Sequence, residues 1–156
     1  MGTEVEHKFL VVGEAWREGV TTSTRIVQGY LSRGPRATVR VRVRGAHAFV
    51  TIKGPTQGIS RSEFEYGIPV VDAEAMLADL ADGPVIDKVR HLVPVGHHTW
   101  EVDVFAGDNA PLVMAEVELA HADERFERPA WAGEDVSADP RYYNATLSVS
   151  PYSTWA

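Results

Sequence analysis

The sequence contains no cysteine, which excludes disulfides and thiolate metal sites. It has no apolar run near the roughly 18 residues that a membrane span requires. No apolar leader precedes its first charged residues, so no signal peptide is read at the start. A cytoplasmic protein that does not associate with membranes is the expectation. Basic charge is in deficit, with a net charge of −7. That argues against a nucleic-acid partner, because such proteins carry a basic footprint. Lysine is scarce too: of 15 basic residues only Lys8, Lys53 and Lys88 are lysines. A compact ammonium and a planar guanidinium differ in what they recognise, so those three positions are informative. Internal repeats, linkers and low-complexity stretches are also missing.

What is present fits one compact domain over residues 1–156, long enough to bury a core. Strand-like segments lie near residues 4–12, 25–32, 37–45, 47–54, 60–69, 85–94, 98–106 and 112–120. Turn-rich joints such as Arg44-Gly45-Ala46-His47 and Ala106-Gly107-Asp108-Asn109 separate them. Between the fifth and sixth segments, "VDAEAMLADLADG" reads as a helix over 72–82. Asp72 is its expected N-cap, and Ala73, Met76, Leu77 and Leu80 recur at helical spacing. Residues 14–19 and 138–148 suggest two further short helices. The expected class is α+β, mainly β: an eight-stranded antiparallel closed barrel, a tunnel, with helices packed outside.

Sorting each strand by parity places like charges together. In "TVRVRVRG", Arg40, Arg42 and Arg44 oppose three valines. In "FVTIKG", Lys53 joins Thr51. In "RSEFEYGI", Arg61, Glu63 and Glu65 align, as do Lys88 and Arg90 in "VIDKVRHLV". Glu101 and Asp103 align in "WEVDVF", and Glu116 and Glu118 in "VMAEVELA". The first strand, "EVEHK", adds Glu4, Glu6 and Lys8. All three lysines lie on the charged faces.

A half-solvated antiparallel sheet shows the same alternation. Three features favour an inward-facing charged wall instead. The charged faces carry little Ser, Thr or Gln. The charges come in like-signed pairs two residues apart. The helix and the aromatic tail need an apolar surface to cover. Like charges about 6 Å apart repel by roughly 3 kcal/mol at an effective dielectric near 20. Sign blocks held at that cost suit a ligand carrying both signs. Basic blocks match an oxygen-rich anion, and carboxylate blocks match hard divalent cations. A metal-chelated polyphosphate satisfies both, with Glu4 and Glu6 on metal and Lys8 on phosphate.

At these residues the chain resembles the CYTH superfamily, the triphosphate tunnel metalloenzymes. "EVEHK" fits that family's ExExK signature. "QGYL", "VRVR", "TIKG", "RSEFEY", "KVR", "WEVDVF", "AEVEL" and "RYYN" follow in the family's order. The resemblance implies a barrel open as a tunnel that binds small-molecule triphosphates with Mg²⁺ or Mn²⁺, as two ions. Short bacterial members resemble inorganic triphosphatases, which cleave tripolyphosphate to pyrophosphate and phosphate. Others hydrolyse nucleoside or thiamine triphosphates, or cyclise ATP. Outside enzymes, a polyphosphate-binding module is the alternative.

Carried over by position, Lys8, Arg40, Arg42, Lys53, Lys88 and Arg90 would form the phosphate cradle, with Arg61 a lesser member. Glu4, Glu6, Glu116 and Glu118 would be the principal metal ligands. Glu63, Glu65 and Asp103 would complete the coordination or hold the attacking water. Lys8, Arg40, Arg42, Glu63 and Glu65 would thus be the catalytic set. Glu101 shares the face without an assigned role. His7 departs from the pattern, standing where relatives often carry Arg, and parity points it outward.

Other motifs read as structure. The six histidines offer no metal-ligand spacing, and His97-His98 falls in a hairpin turn. "GPRATVR" and "KGPTQG" lack the Walker pattern. Trp131, Trp155 and the Tyr142-Tyr143 pair read as packing residues. The tail "PYSTWA" is compatible with covering a tunnel mouth or framing a homodimer contact.

Overall fold

The computed structural model describes residues 2–155. Their strands are β1 (Gly2–Val11), β2 (Thr22–Arg33), β3 (Thr38–Arg44), β4 (His47–Lys53), β5 (Ser60–Ile68), β6 (Ile86–Val95), β7 (His98–Phe105), β8 (Val113–Glu118) and β9 (Ala132–Asp135). They form one sheet in the order β5-β4-β3-β2-β6-β7-β8-β1-β9, and a further β1–β5 pairing closes β1 to β8 into a barrel. Every pairing is antiparallel. The hairpin joints sit where the sequence places them. Gly45 and Gly96 turn the β3–β4 and β6–β7 connections at φ 59° and 61°, values that disfavour any side chain.

The ninth strand is a departure from the expected eight. β5 pairs with β1 only over Gly2–Val5, while β9 pairs with Phe9 and Val11 further along. Once β5 veers away, the backbone groups of Phe9 to Val11 need partners, and "AGED" supplies them. A four-residue strand containing glycine and two acids carries too little pattern to be read in advance.

The outward apolar faces are covered in two places. Phe9, Trp100, Val102, Ala115 and Val117 pack beneath Trp16, Phe126 and Trp131. Trp16 belongs to a 3₁₀ turn over Ala15–Gly19, the short helix expected at 14–19. Around the barrel, α1 (Val70–Asp79) lays Ala73, Met76 and Leu77 over Val41 and Ala48. Its contact with β2 is close: a Cβ on Gly29 would stand 2.9 Å from Leu77 Cδ2, so any side chain there must push Leu77 aside.

α1 begins two residues earlier than the sequence suggests. Pro69 occupies the N-cap, with φ already near the helical value, and Asp72 makes no cap hydrogen bond. Asp72 lies in the first turn instead, where an acid complements the helix dipole. The expected helix over 138–148 divides in two. A 3₁₀ turn spans Pro140–Tyr142, started by Asp139, whose carboxylate accepts the Arg141 N–H at 3.1 Å. Then α2 spans Asn144–Val149.

At one end of the barrel the charged parity gives way to apolar residues. Leu10, Ile86, Phe105 and Met114 share the faces of Lys8, Lys88, Asp103 and Glu116, yet they cluster with Tyr142, Leu147, Tyr152 and Trp155. The tail and α2 therefore plug this end, and Trp155 and Tyr142 pack as expected of them. The barrel is a vessel with a stopper rather than an open tube. No helix among the described residues is long and apolar enough to cross a membrane.

Candidate active site

The inversion expected from parity is present. A cavity of about 200 Å³ inside the barrel is lined by charged side chains from seven strands: Glu4, Glu6 and Lys8 of β1; Arg40, Arg42 and Arg44 of β3; Lys53 of β4; Arg61, Glu63 and Glu65 of β5; Lys88 and Arg90 of β6; Glu101 of β7; Glu116 and Glu118 of β8. Asp103 is the one candidate that does not reach the cavity. It is 1% exposed behind the wall, where its oxygens accept Lys88 Nζ at 2.7 Å and Arg90 Nε and Nη2 at 2.8 and 2.9 Å. Strand register explains the convergence: Lys8 stands opposite Glu116, Glu101 opposite Glu116, and Lys53 opposite Glu63.

Most charges are engaged with each other. Lys8 Nζ lies 3.0 Å from Glu116 and 3.5 Å from Glu6. Lys53 reaches both Glu4 oxygens at 3.1 Å, and Arg61 Nε donates to Glu4 at 3.0 Å. Arg40 lies 3.5 Å from Glu65 and Arg90 3.2 Å from Glu101. Burial alone would raise the Glu4 carboxyl, but Lys53 and Arg61 overcome it and hold the group at about 2. Burial likewise works against the Lys8 ammonium, and Glu116 with Glu6 more than compensate, raising its pKa.

Four groups are not balanced in this way. Arg42 donates through Nε to Gln28 at 2.8 Å, and no carboxylate among the described residues lies within ion-pair distance of it. Burial, then Arg40 and Arg90, push its pKa down, although a guanidinium stays protonated in a protein. Arg40 Nε is buried without a hydrogen-bond partner. On the acidic side, burial and the Glu116 carboxylate push Glu6 up to about 8. Burial, then Glu4, Glu101 and Glu63, raise Glu118, which is exposed toward the mouth. The wall thus holds surplus positive charge around Arg40 and Arg42 and, around Glu6 and Glu118, carboxyls whose ionisation is opposed.

Neutral members of the site escape a search for charge. Gln28, Thr51, Tyr30 and Thr38 share parity with the ionic residues, and Tyr30 and Thr38 line the cavity. Thr51 Oγ1 donates to Glu65 at 2.8 Å and accepts from Arg40 Nη2 at 3.2 Å. The signal for Gln28 is a lone amide side chain within "RIVQGYL". Tyr143, read as a packing residue, lines the cavity with Lys8 Nζ 5.9 Å from its ring centre. Asn144 and Ala145 join it from α2. His7 points outward as expected, with Nδ1 3.0 Å from Asp135. A side recess of about 20 Å³, bounded by Thr56, Ile59 and Ser137, adjoins Glu4 and Lys8. It has room for about one water.

A barrel of this topology, with this two-signed interior, matches a known family. The signature of the CYTH domain covers residues 2–148. The chain belongs to the CYTH family. A relative from Acetivibrio thermocellus named inorganic triphosphatase is 42% identical over 155 residues, 99% of each chain. A second of the same name, from Nitrosomonas europaea, is 38% identical over 95% of this chain and 98% of its own. The crystal structure of the inorganic triphosphatase NE1496 superposes with a TM-score of 0.64 at 34% identity, covering 96% of both chains. The PH1012 protein from Pyrococcus horikoshii OT3 shares the fold, with a TM-score of 0.60 at 17% identity over 77% of this CYTH chain and 80% of that one.

Carboxylate oxygens are the donors this CYTH barrel could offer a divalent cation. Among the described residues no three acidic or histidine side chains are already gathered around one point. Glu4 and Glu116 are turned toward lysines instead. Glu6 and Glu118 are hard oxygen donors whose ionisation is opposed by burial and then by neighbouring carboxylates. That is the environment a bound cation relieves.

Proposed function

We propose that this CYTH protein hydrolyses inorganic triphosphate to pyrophosphate and phosphate with a divalent metal, Mg²⁺ or Mn²⁺, in the barrel cavity. The observation that carries the proposal is the buried Arg42 guanidinium without a carboxylate beside Arg40 Nε without a partner. Both call for anionic oxygens from outside the chain. Two inorganic triphosphatases among its relatives, matched over nearly the whole chain, support the same substrate class.

Arg40, Arg42, Lys88 and Arg90 bind and orient phosphate oxygens from the side of the cavity made by β3 and β6. Lys8, Lys53 and Arg61 do so from β1, β4 and β5. Asp103 holds Lys88 and Arg90 at their stations rather than meeting a metal. Glu4, Glu6, Glu116 and Glu118 would hold the cation. When bound, it would neutralise phosphate charge and lower the pKa of a coordinated water toward 7. Glu63 and Glu65, half-buried near Lys53 and Arg40, orient the attacking water. Water's oxygen bonds to a terminal phosphorus, the bond to the bridging oxygen breaks, and pyrophosphate leaves with its charge met by the arginines. The water's proton passes to a wall carboxylate and then to solvent. Catalysis here is positioning and charge neutralisation rather than covalent help.

Phosphate release from tripolyphosphate, ATP, thiamine triphosphate and pyrophosphate, measured in parallel with Mg²⁺ and Mn²⁺ and alongside a cyclic AMP assay, tests this. Tripolyphosphate should be preferred, and EDTA should abolish release until metal returns. Preference for a nucleotide, or full activity in EDTA, would refute it.

A further inference from the structure

We propose that Asn144 is a positioning residue of the phosphate cradle, holding Lys88 directly and Arg42 through Gln28; this rests on reading the cavity as a tripolyphosphate site. Asn144 is the first residue of α2, the helix that plugs the barrel. Its Oδ1 accepts Lys88 Nζ at 2.9 Å and Gln28 Nε2 at 3.0 Å. Gln28, fully buried, turns its Oε1 to Arg42 Nε at 2.8 Å. The chemistry fixes both amide orientations. Lysine and guanidinium are donors only, so Gln28 must face Arg42 with oxygen and Asn144 must face Lys88 with oxygen.

The consequence is geometric. Asp103 and Asn144 together take two of the three protons of the Lys88 ammonium, leaving one for a ligand. Gln28 takes Arg42 Nε, leaving the two terminal nitrogens of the fork for phosphate. Cations from β3 and β6 are thereby aligned by one atom on a helix that arrives from the far end of the chain. An aliphatic residue at 144 would strand Gln28 Nε2 and free Lys88 to fold onto Asp103 alone. An acid there would keep both contacts but place a competing negative charge against Lys88.

The experiment compares the parent with Asn144→Ala, Asn144→Asp and Gln28→Ala, singly and with Gln28→Ala combined with Asn144→Ala. Calorimetric binding of tripolyphosphate, steady-state hydrolysis and thermal midpoint are read for each. Asn144→Ala should raise KM and Kd for tripolyphosphate by about tenfold, the worth of one hydrogen bond to a charged group. Asn144→Asp should keep the parent's thermal midpoint while weakening binding further. The double variant should cost no more than the larger single effect, because the contacts form one chain. Parental KM and Kd in both Asn144 variants would overturn the inference, as would a fallen thermal midpoint with unchanged KM. If the parent binds tripolyphosphate without cleaving it, the proposed reaction fails and the binding constants alone decide Asn144. A parent that neither binds nor cleaves it overturns both.

Discussion

Glu6→Gln removes a carboxylate whose ionisation the folded barrel opposes. Burial and the adjacent Glu116 carboxylate push Glu6 up to about 8, against 4.5 for the ordinary group. Because the folded value is the higher one, the stability this acid contributes is complete below its ordinary value and is lost as pH rises to about 8. Each pH unit in that window is worth about 1.4 kcal/mol. Between pH 6 and pH 9 the parent should therefore lose roughly 3 kcal/mol through this group, an upper bound because Glu116 shares in the titration. Gln keeps the shape and does not titrate. In EDTA, Glu6→Gln should gain on the parent by up to about 3 kcal/mol over that range, or roughly 6–12 °C in Tm for a domain of this size. Thermal unfolding of both proteins at pH 6, 7, 8 and 9 reads the effect. A stability difference that does not change with pH would refute the placement of Glu6 in a buried carboxylate pair. Mg²⁺ should shrink the variant's advantage at pH 9, since a cation favours ionised Glu6.

Lys8→Ala and Arg40→Ala should each lower tripolyphosphate turnover by at least 10²-fold, as loss of a transition-state charge partner does, while circular dichroism stays native. Unchanged turnover in a folded Lys8→Ala protein would remove it from the cradle. Asp103→Ala strands Lys88 and Arg90 in the wall and should destabilise the protein by roughly 3–5 kcal/mol; a urea midpoint within error of the parent would contradict that role. Gly29→Ala drives a methyl against Leu77 and should cost roughly 1–3 kcal/mol, again read by urea unfolding.

Strand positions, hairpin joints and the inward charge are legible because alternation at period two is imposed by backbone geometry. Valines opposite Arg40 and Arg42 disclose two faces whatever the tertiary contacts. Less legible were features that depend on a neighbour distant in sequence. β9 exists because β5 parts from β1, and no residue in "AGED" announces that. Asp72 looked like a cap by type, but Pro69 reached the helical φ first. Asp103 has the parity of a cavity residue and the partners of a wall residue; parity gives the direction of a side chain and is silent on depth. Gln28 and Asn144 stand in the motifs "QGYL" and "RYYN" without an assigned role, because neutral amides leave no mark in a charge pattern, although they orient the cations that do.

The plugged end has a bearing on traffic. With α2 and the tail filling one end of the barrel, and the side recess holding about one water, reactant and products of the proposed reaction use the opposite mouth. Product accumulating in the surroundings then contends with each arriving chain for that same entrance.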